Sequence, residues 1–377
     1  MKILKHFSIL ATVMLSVHAA PLGLPEVPIP ADNPQTEAKI KLGDRLFHDP
    51  RFSSDGKVSC STCHAPEKGF TDHLSVSKGF TDKKGTRMGT RNAQTVINAA
   101  YNTSQFWDGR VPSLEEQSKF PPINPVEGGL HGWDDLVKMI QDDESYRDEF
   151  KKVFNIEPKE ITIEHFAKAI ASFERTLISG NSKFDRYMYG GEKEALSEQE
   201  KRGLKVYLEQ GRCVSCHTIS QTHAIFTDNQ FHNLGIGSKA LKGKSQEVAS
   251  EYIRIIAKEK VKSKSTADEL VLAEKRFSEL GRLAITHEVD DMAAFKTSGL
   301  RNISKTGPYM HDGSLKTLKE VVIWYNLGGK FNADDPDTPF LDGGIRPLNL
   351  SEEQIVDLVS FLKALTSPEY ENVKEAI

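Results

Sequence analysis

The sequence predicts a mainly α-helical protein of two domains, and three observations carry that expectation. Apolar residues recur at helical spacing over several stretches, with no internal series of strands beside them. A length of 377 residues is more than one core usually organises. The pattern Cys-x-x-Cys-His occurs twice, as Cys60-Ser61-Thr62-Cys63-His64 and Cys213-Val214-Ser215-Cys216-His217, far enough apart to give each domain one copy.

At the start of the chain, Lys2 and Lys5 form a basic head, Phe7 to Val17 is almost continuously apolar, and Val17-His18-Ala19 supplies small residues. That order predicts a secretory signal peptide over residues 1–19, and hence a periplasmic protein. The run is too short to cross a bilayer core, which needs roughly 20 residues, and no later segment is long and apolar enough to span. Residues 20–37, rich in proline from Pro21 to Pro34, read as an extended leader. Lys39 to Phe47 reads as a short helix before a turn at Asp49-Pro50, and the glycine-rich stretch from Gly69 to Gly89 as loop. Helical spacing returns in Leu114–Gln117, Leu136–Ile140, Tyr146–Phe154 and Ile163–Leu177.

The turn-rich stretch Asn181–Glu194 is the expected boundary, dividing residues 38–190 from residues 191–377. A helix from about Glu198 to Glu209 then leads to the second cysteine pattern. Lys258 to Arg282 is strongly charged around Val261, Leu270, Val271, Leu272, Phe277 and Leu280, and reads as a surface helix or lid with a solvated face. Ser351 opens the last helix, exchanging hydrogen bonds with Gln354, and Ile355, Leu358, Val359 and Leu362 line one face. Packing of this helix back on the N-terminal domain is one placement for it.

With 49 basic and 53 acidic residues the net charge is −4, and the basic residues are spread along the chain, so nucleic acid is not an expected partner. All four cysteines fall in the two patterns, and Cys-x-x-Cys-His is the attachment signature of haem c. Two thiols bond to the porphyrin edge and the adjacent histidine becomes the proximal iron ligand. A thioredoxin-like pair would sit in a βαβ setting, and a zinc site joining both pairs would leave His64 and His217 unexplained. Two cytochrome c-like domains joined by long ordered loops are therefore expected, each carrying one covalent haem c.

Other stretches point to a family. They include Leu42-Gly43, Phe47-His48-Asp49-Pro50, Gly69-Phe70-Thr71-Asp72, Arg91-Asn92 with Asn98-Ala99, and Gln105-Phe106-Trp107-Asp108-Gly109-Arg110. Phe231-His232-Asn233, Leu300-Arg301-Asn302 and Pro308-Tyr309-Met310-His311-Asp312-Gly313 follow in order. In combination the chain resembles the bacterial dihaem cytochrome c peroxidase and MauG superfamily over nearly all its mature length. The resemblance implies a peroxidatic N-terminal haem and an electron-transfer C-terminal haem. It implies distal roles for Gln117 and Glu127, ten and twenty residues after Trp107, with Glu127 shuttling the peroxide proton. It places Trp107 between the haems as an electron-transfer residue, and one calcium ion on the side chain of Asn92 and the carbonyls of Thr306 and Pro308.

Two departures alter the implied mechanism. Lys84 stands where many of these peroxidases carry a removable second histidine, and His73 reads as an ordinary loop histidine, so the first haem is expected to be open. Tyr325 stands where the peroxidases have an axial methionine and MauG has tyrosine, and no methionine follows Met310. Phenolate ligation would lower the potential of the second haem; a five-coordinate iron, or one ligated by Met310, is the alternative. The expected enzyme reduces hydrogen peroxide with electrons from a small cytochrome, a copper protein or a protein undergoing oxidative maturation. A conventional cytochrome c peroxidase and a non-catalytic dihaem electron carrier are the competing readings, and both monomer and homodimer remain open.

Overall fold

The computed structural model describes residues 20–258, 270–329 and 338–375. The signal-peptide assignment, and Val261 of the charged segment, lie outside the described residues. The fold is mainly helical. Its longer helices are α1 (Glu37–His48), α2 (Trp133–Asp142), α3 (Glu144–Phe154), α4 (Ile163–Glu174), α5 (Glu198–Leu208), α6 (Ser245–Lys258), α7 (Leu318–Asn326) and α8 (Glu352–Lys363).

Local sequence accounts for where these helices begin. Thr36 caps α1 by accepting from the Lys39 amide, and Ser197 and Ser351 open α5 and α8 with capping boxes closed by Glu200 and Gln354. Their buried faces then build two cores. Leu42, Leu46 and Phe47 of α1 meet Phe166 and Ile170 of α4, while Leu204 and Tyr207 of α5 meet Leu358, Phe361 and Leu362 of α8.

The same arrangement occurs twice. At each helix crossing a glycine allows close approach, because a Cβ on Gly43 would overlap the Ala169 carbonyl and one on Gly203 the Asp357 carbonyl. Asn98 and Asn302 both adopt left-handed conformations, with φ of 61° and 58°, which asparagine tolerates better than most residues. The Asn98 amide donates to Leu177 O after α4 at 2.8 Å, and the Asn302 amide to Leu365 O after α8 at 3.1 Å. Gln105 bridges Val111 and Tyr309 bridges Leu315, each pairing enclosing a left-handed glycine, Gly109 or Gly313.

Several details differ from the sequence expectations. The stretch read as loop from Gly69 to Gly89 contains an antiparallel hairpin, β1 (Lys78–Asp82) with β2 (Gly85–Met88), and β3 (Phe231–His232) pairs antiparallel with β4 (Phe295–Lys296). These strands are too short for a period-2 signal. The turn-rich stretch near residue 190 includes a helix, Lys183–Met188, started by a Ser182–Asp185 capping box and held by buried Phe184. The described part of the charged segment is not simply a solvated face. Val271, Phe277 and Leu280 are buried in a separate core with Tyr252 of α6, a helix not expected from the sequence. The final helix α8 packs chiefly on α5 and α7. Its Phe361 also meets Phe184 at 5.8 Å, and Tyr370 beyond it reaches the first core.

Candidate haem and peroxide site

Both cysteine motifs open on one cavity of about 700 Å³, lined by residues of both repeats. In the first, Cys60–Cys63 forms a single helical turn, and the His64 amide closes on Cys60 O at 2.9 Å. In the second, the His217 amide closes on Cys213 O at 2.8 Å. This local winding puts both thiols and the histidine of each motif on the cavity wall.

Each histidine is oriented from behind. His64 Nδ1 lies 3.2 Å from Phe70 O and His217 Nδ1 lies 2.9 Å from Phe226 O. Both phenylalanines adopt left-handed φ, 57° and 55°, a strained choice for a bulky residue that turns each carbonyl toward its imidazole. Burial holds both imidazoles below their ordinary pKa, favouring the neutral ring, and donation through Nδ1–H leaves Nε2 free to ligate. Unpaired thiols, a neutral imidazole and a largely apolar wall fit two c-type haems.

The walls differ beyond the histidines. Beside the first motif, Gln117 comes from the helix Leu114–Ser118, capped by Ser113, and Glu127 from the turn after Pro121–Ile123. The hairpin braces that turn: the Phe80 amide donates to Glu127 O at 2.8 Å, and a Cβ on Gly79 would overlap Val126 O. Burial raises the Glu127 carboxyl to about 7, opposed by the positive charge of Arg110. Glu127 also lies close enough to Cys63 to help raise that thiol, after burial itself.

Beside the second motif, α7 brings Tyr325 to the cavity, and Met310 also lines it. Burial, and then the negative charges of Cys213, Cys216 and Asp342, raise the Tyr325 phenol above its ordinary pKa. Trp107 lines the same cavity and its indole N–H donates to Asn92 O at 2.8 Å. Asn92, Thr306 and Pro308 line it too, and the Asn92 side-chain NH₂ donates to Leu74 O at 2.8 Å. His73 is held by Lys305 O at 2.9 Å, and Lys84 is exposed in the hairpin turn.

A family model described as di-haem cytochrome c peroxidase matches residues 37–193. A cytochrome-c peroxidase, IdrP1, of Denitromonas iodatirespirans is 35% identical, covering 93% of this chain and 87% of its own length. The methylamine utilization protein MauG of Methylorubrum extorquens is 34% identical over 90% of this chain and 81% of its own length. A solved MauG-like protein associated with microbial copper homeostasis superposes with a TM-score of 0.71 at 30% identity, covering 93% of this chain and 95% of that one. The chain belongs to the dihaem cytochrome c peroxidase and MauG family. Membership makes it a haem-dependent oxidoreductase of the peroxidase type, using two c-type haems.

In this dihaem protein the groups that support the site went unrecognised in the sequence. Asp108 is fully buried between Arg91 at 2.5 Å and Arg110 at 3.0 Å, and these two cations hold its carboxyl down at about 2 against the effect of burial. Arg110 also lies over the Phe106 ring, 3.4 Å from its centre. His311 stacks on Phe295 at 3.6 Å, bonds Glu279 at 2.7 Å and meets the edge of Trp107 at 6.4 Å. His232 is gripped by Asp342 at 2.6 Å and Asp228 at 2.9 Å beside Cys216. Their blocks were legible as family motifs, but the pairings of Asp108 with Arg91, His311 with Glu279 and His232 with Asp342 join residues too distant in sequence for spacing to reveal.

Proposed function

We propose that the chain is a periplasmic, MauG-like dihaem peroxidase, divided at about residue 190 into two haem domains behind a cleaved signal of residues 1–19 and a leader of residues 20–37. Cys60, Cys63 and His64 would hold the peroxidatic haem; Cys213, Cys216 and His217 would hold the second, with Tyr325 as a further iron ligand. When bound, the haem pair supplies an open coordination position and the electron capacity that peroxide reduction requires.

The protein's own groups do the rest. Glu127 would take the proton from one peroxide oxygen and return it to the departing one, while the Gln117 amide would donate to and position the peroxide. A carboxyl raised to about 7 transfers protons in both directions near neutral pH. That buried Glu127, braced beside the first motif, is the observation that carries this reading. Trp107, on the shared wall, offers an aromatic path for electrons between the sites. Asn92, Thr306 and Pro308 hold calcium beside it, and the electrons come from a protein undergoing oxidative maturation.

A conventional peroxidase fed by a small cytochrome or copper protein is the second reading, favoured by the identity to IdrP1. Tyr325 favours the first. Low-temperature EPR of the ferric enzyme tests both: one high-spin signal with one low-spin His–Tyr signal supports the MauG-like reading. Two low-spin haems, one of His–Met character, would overturn it in favour of an electron carrier or a peroxidase needing reductive activation.

A further inference from the structure

Lys296 lies in β4, where its amide donates to Trp107 O at 2.8 Å and its partner across the ladder is Phe231. It lines the cavity yet is only 3% exposed. Burying an ammonium group is costly unless a counter-charge meets it. The other buried cations on this wall have one: Arg91 and Arg110 share Asp108, and Arg301 takes Asp185 at 2.7 Å. Arg212 and Arg346 also line the cavity, but Arg212 is half-buried with its guanidinium donating to Gly344 O at 3.1 Å, and Arg346 is exposed to solvent. For Lys296, no carboxylate or other hydrogen-bond acceptor meets the ammonium group among the described residues. Burial alone draws its pKa down to about 8.

The cofactors of this family bring the missing charge, since every haem carries two propionate carboxylates. We propose that Lys296 is the counter-ion of a haem propionate, pairing its ammonium group with a carboxylate on the cavity wall beside Trp107. The pair serves two ends. It cancels a buried positive charge on the wall that also carries Trp107, and it sets the potential of the haem whose propionate it holds, because a nearby cation disfavours the ferric state. This inference rests on two haems occupying the cavity, so haem content is counted first by pyridine haemochrome.

The test uses holoenzyme grown with haem ¹³C-labelled at the propionate carboxylates, comparing wild type, Lys296→Met and Lys296→Arg. Redox-difference infrared spectra report the labelled carboxylates, and a spectroelectrochemical titration reports both midpoint potentials. Lys296→Met is expected to shift one labelled carboxylate band. It should also lower one midpoint potential by at least about 59 mV, a tenfold change in the redox equilibrium of a one-electron couple. Lys296→Arg is expected to restore both toward wild type. Labelled bands that superimpose in wild type and Lys296→Met overturn the proposal, even if the potential falls, since the lysine would then act as an unpaired charge. Should Lys296→Met yield no holoprotein, Lys296→Gln replaces it under the same criteria. A wild type without two haems would instead overturn the dihaem reading itself.

Discussion

The two repeats share their proximal side almost bond for bond and differ in what the opposite side presents. Each has a helix ahead of its motif that crosses a final helix at a glycine, Gly43 or Gly203. Each has a left-handed phenylalanine behind its histidine, and a left-handed asparagine tied to the chain after the final helix. The opposite walls start alike, each on a helix capped by Ser113 or Thr317 just after the Gln105–Val111 or Tyr309–Leu315 bridge, and then diverge. The first is a hairpin-braced turn presenting a buried carboxyl; the second is the face of α7 presenting a phenol. The scaffold behind the two cysteine motifs is duplicated, whereas the groups lining the cavity beside them, a carboxyl and a phenol, are not.

The sharpest way to break this comparison is to remove the distal group of the first repeat. Glu127→Gln keeps shape and hydrogen bonding but cannot accept a proton, so peroxide turnover is expected to fall by roughly 10²–10⁴-fold, with ferric spectra unchanged. Wild-type kcat/KM for peroxide should rise with pH through about 7, as the carboxyl raised by burial gives up its proton. The variant should lack that limb. A stopped-flow pH series measures both, and an unchanged rate would leave the first repeat no more catalytic than the second.

The corresponding change in the second repeat should act on potential rather than on the peroxide reaction. Tyr325→Met replaces a phenol with a thioether, which favours ferrous iron. The midpoint of the second haem is expected to rise by more than about 59 mV, tenfold in its redox equilibrium, while the first peroxide-reactive step keeps its rate. Redox titration with EPR measures this, and an unchanged midpoint would return Tyr325 to the core.

Much of this architecture is legible in the amino-acid sequence, though unevenly. Capping residues and helical spacing locate α1, α4, α5 and α8, because those signals are local: Ser351 and Gln354 stand three residues apart and bond each other at 2.9 and 3.2 Å. The haem motifs are legible for the same reason. The hairpin is not, since Gly79 is there for its approach to Val126, almost 50 residues on, and a turn-rich sequence says nothing of that. Nor is the buried status of Phe277 and Leu280, whose charged neighbours mask a core shared with α6. Beyond the two Cys-x-x-Cys-His patterns, the repeat shows in sequence only as isolated pairs such as Asn98 with Asn302 and Gly43 with Gly203, whose shared backbone role appears only in the fold.

If the proximal scaffold is truly duplicated, the two crossing glycines should be equally intolerant. Gly43→Ala and Gly203→Ala each place a methyl against a backbone carbonyl, which cannot swing away as a side-chain tip would. Overpacking of this kind costs about 1–3 kcal/mol, measurable by guanidinium denaturation. Similar losses would support a common geometry; a loss at one site alone would break the equivalence.

The smallest expected difference lies in how the two final helices start. Both have capping boxes, but Gln354 closes the box of α8 whereas His165 closes that of α4, its Nδ1 accepting from the Thr162 amide at 3.1 Å. A glutamine oxygen accepts at any ordinary pH; an imidazole nitrogen does so only when unprotonated. Burial, assisted by the charge of Lys168, lowers the His165 pKa in the fold. The unfolded chain therefore binds the proton more readily, and stability from this residue is full above about 6.5 and lost as pH falls through the lowered folded value. His165→Gln should preserve the cap and remove that acid-sensitive share, an effect of about 0.5–1 kcal/mol. Denaturation midpoints of the two proteins should thus agree near pH 8 and separate below pH 6, the variant being the more stable; parallel curves would mean that the imidazole contributes packing alone.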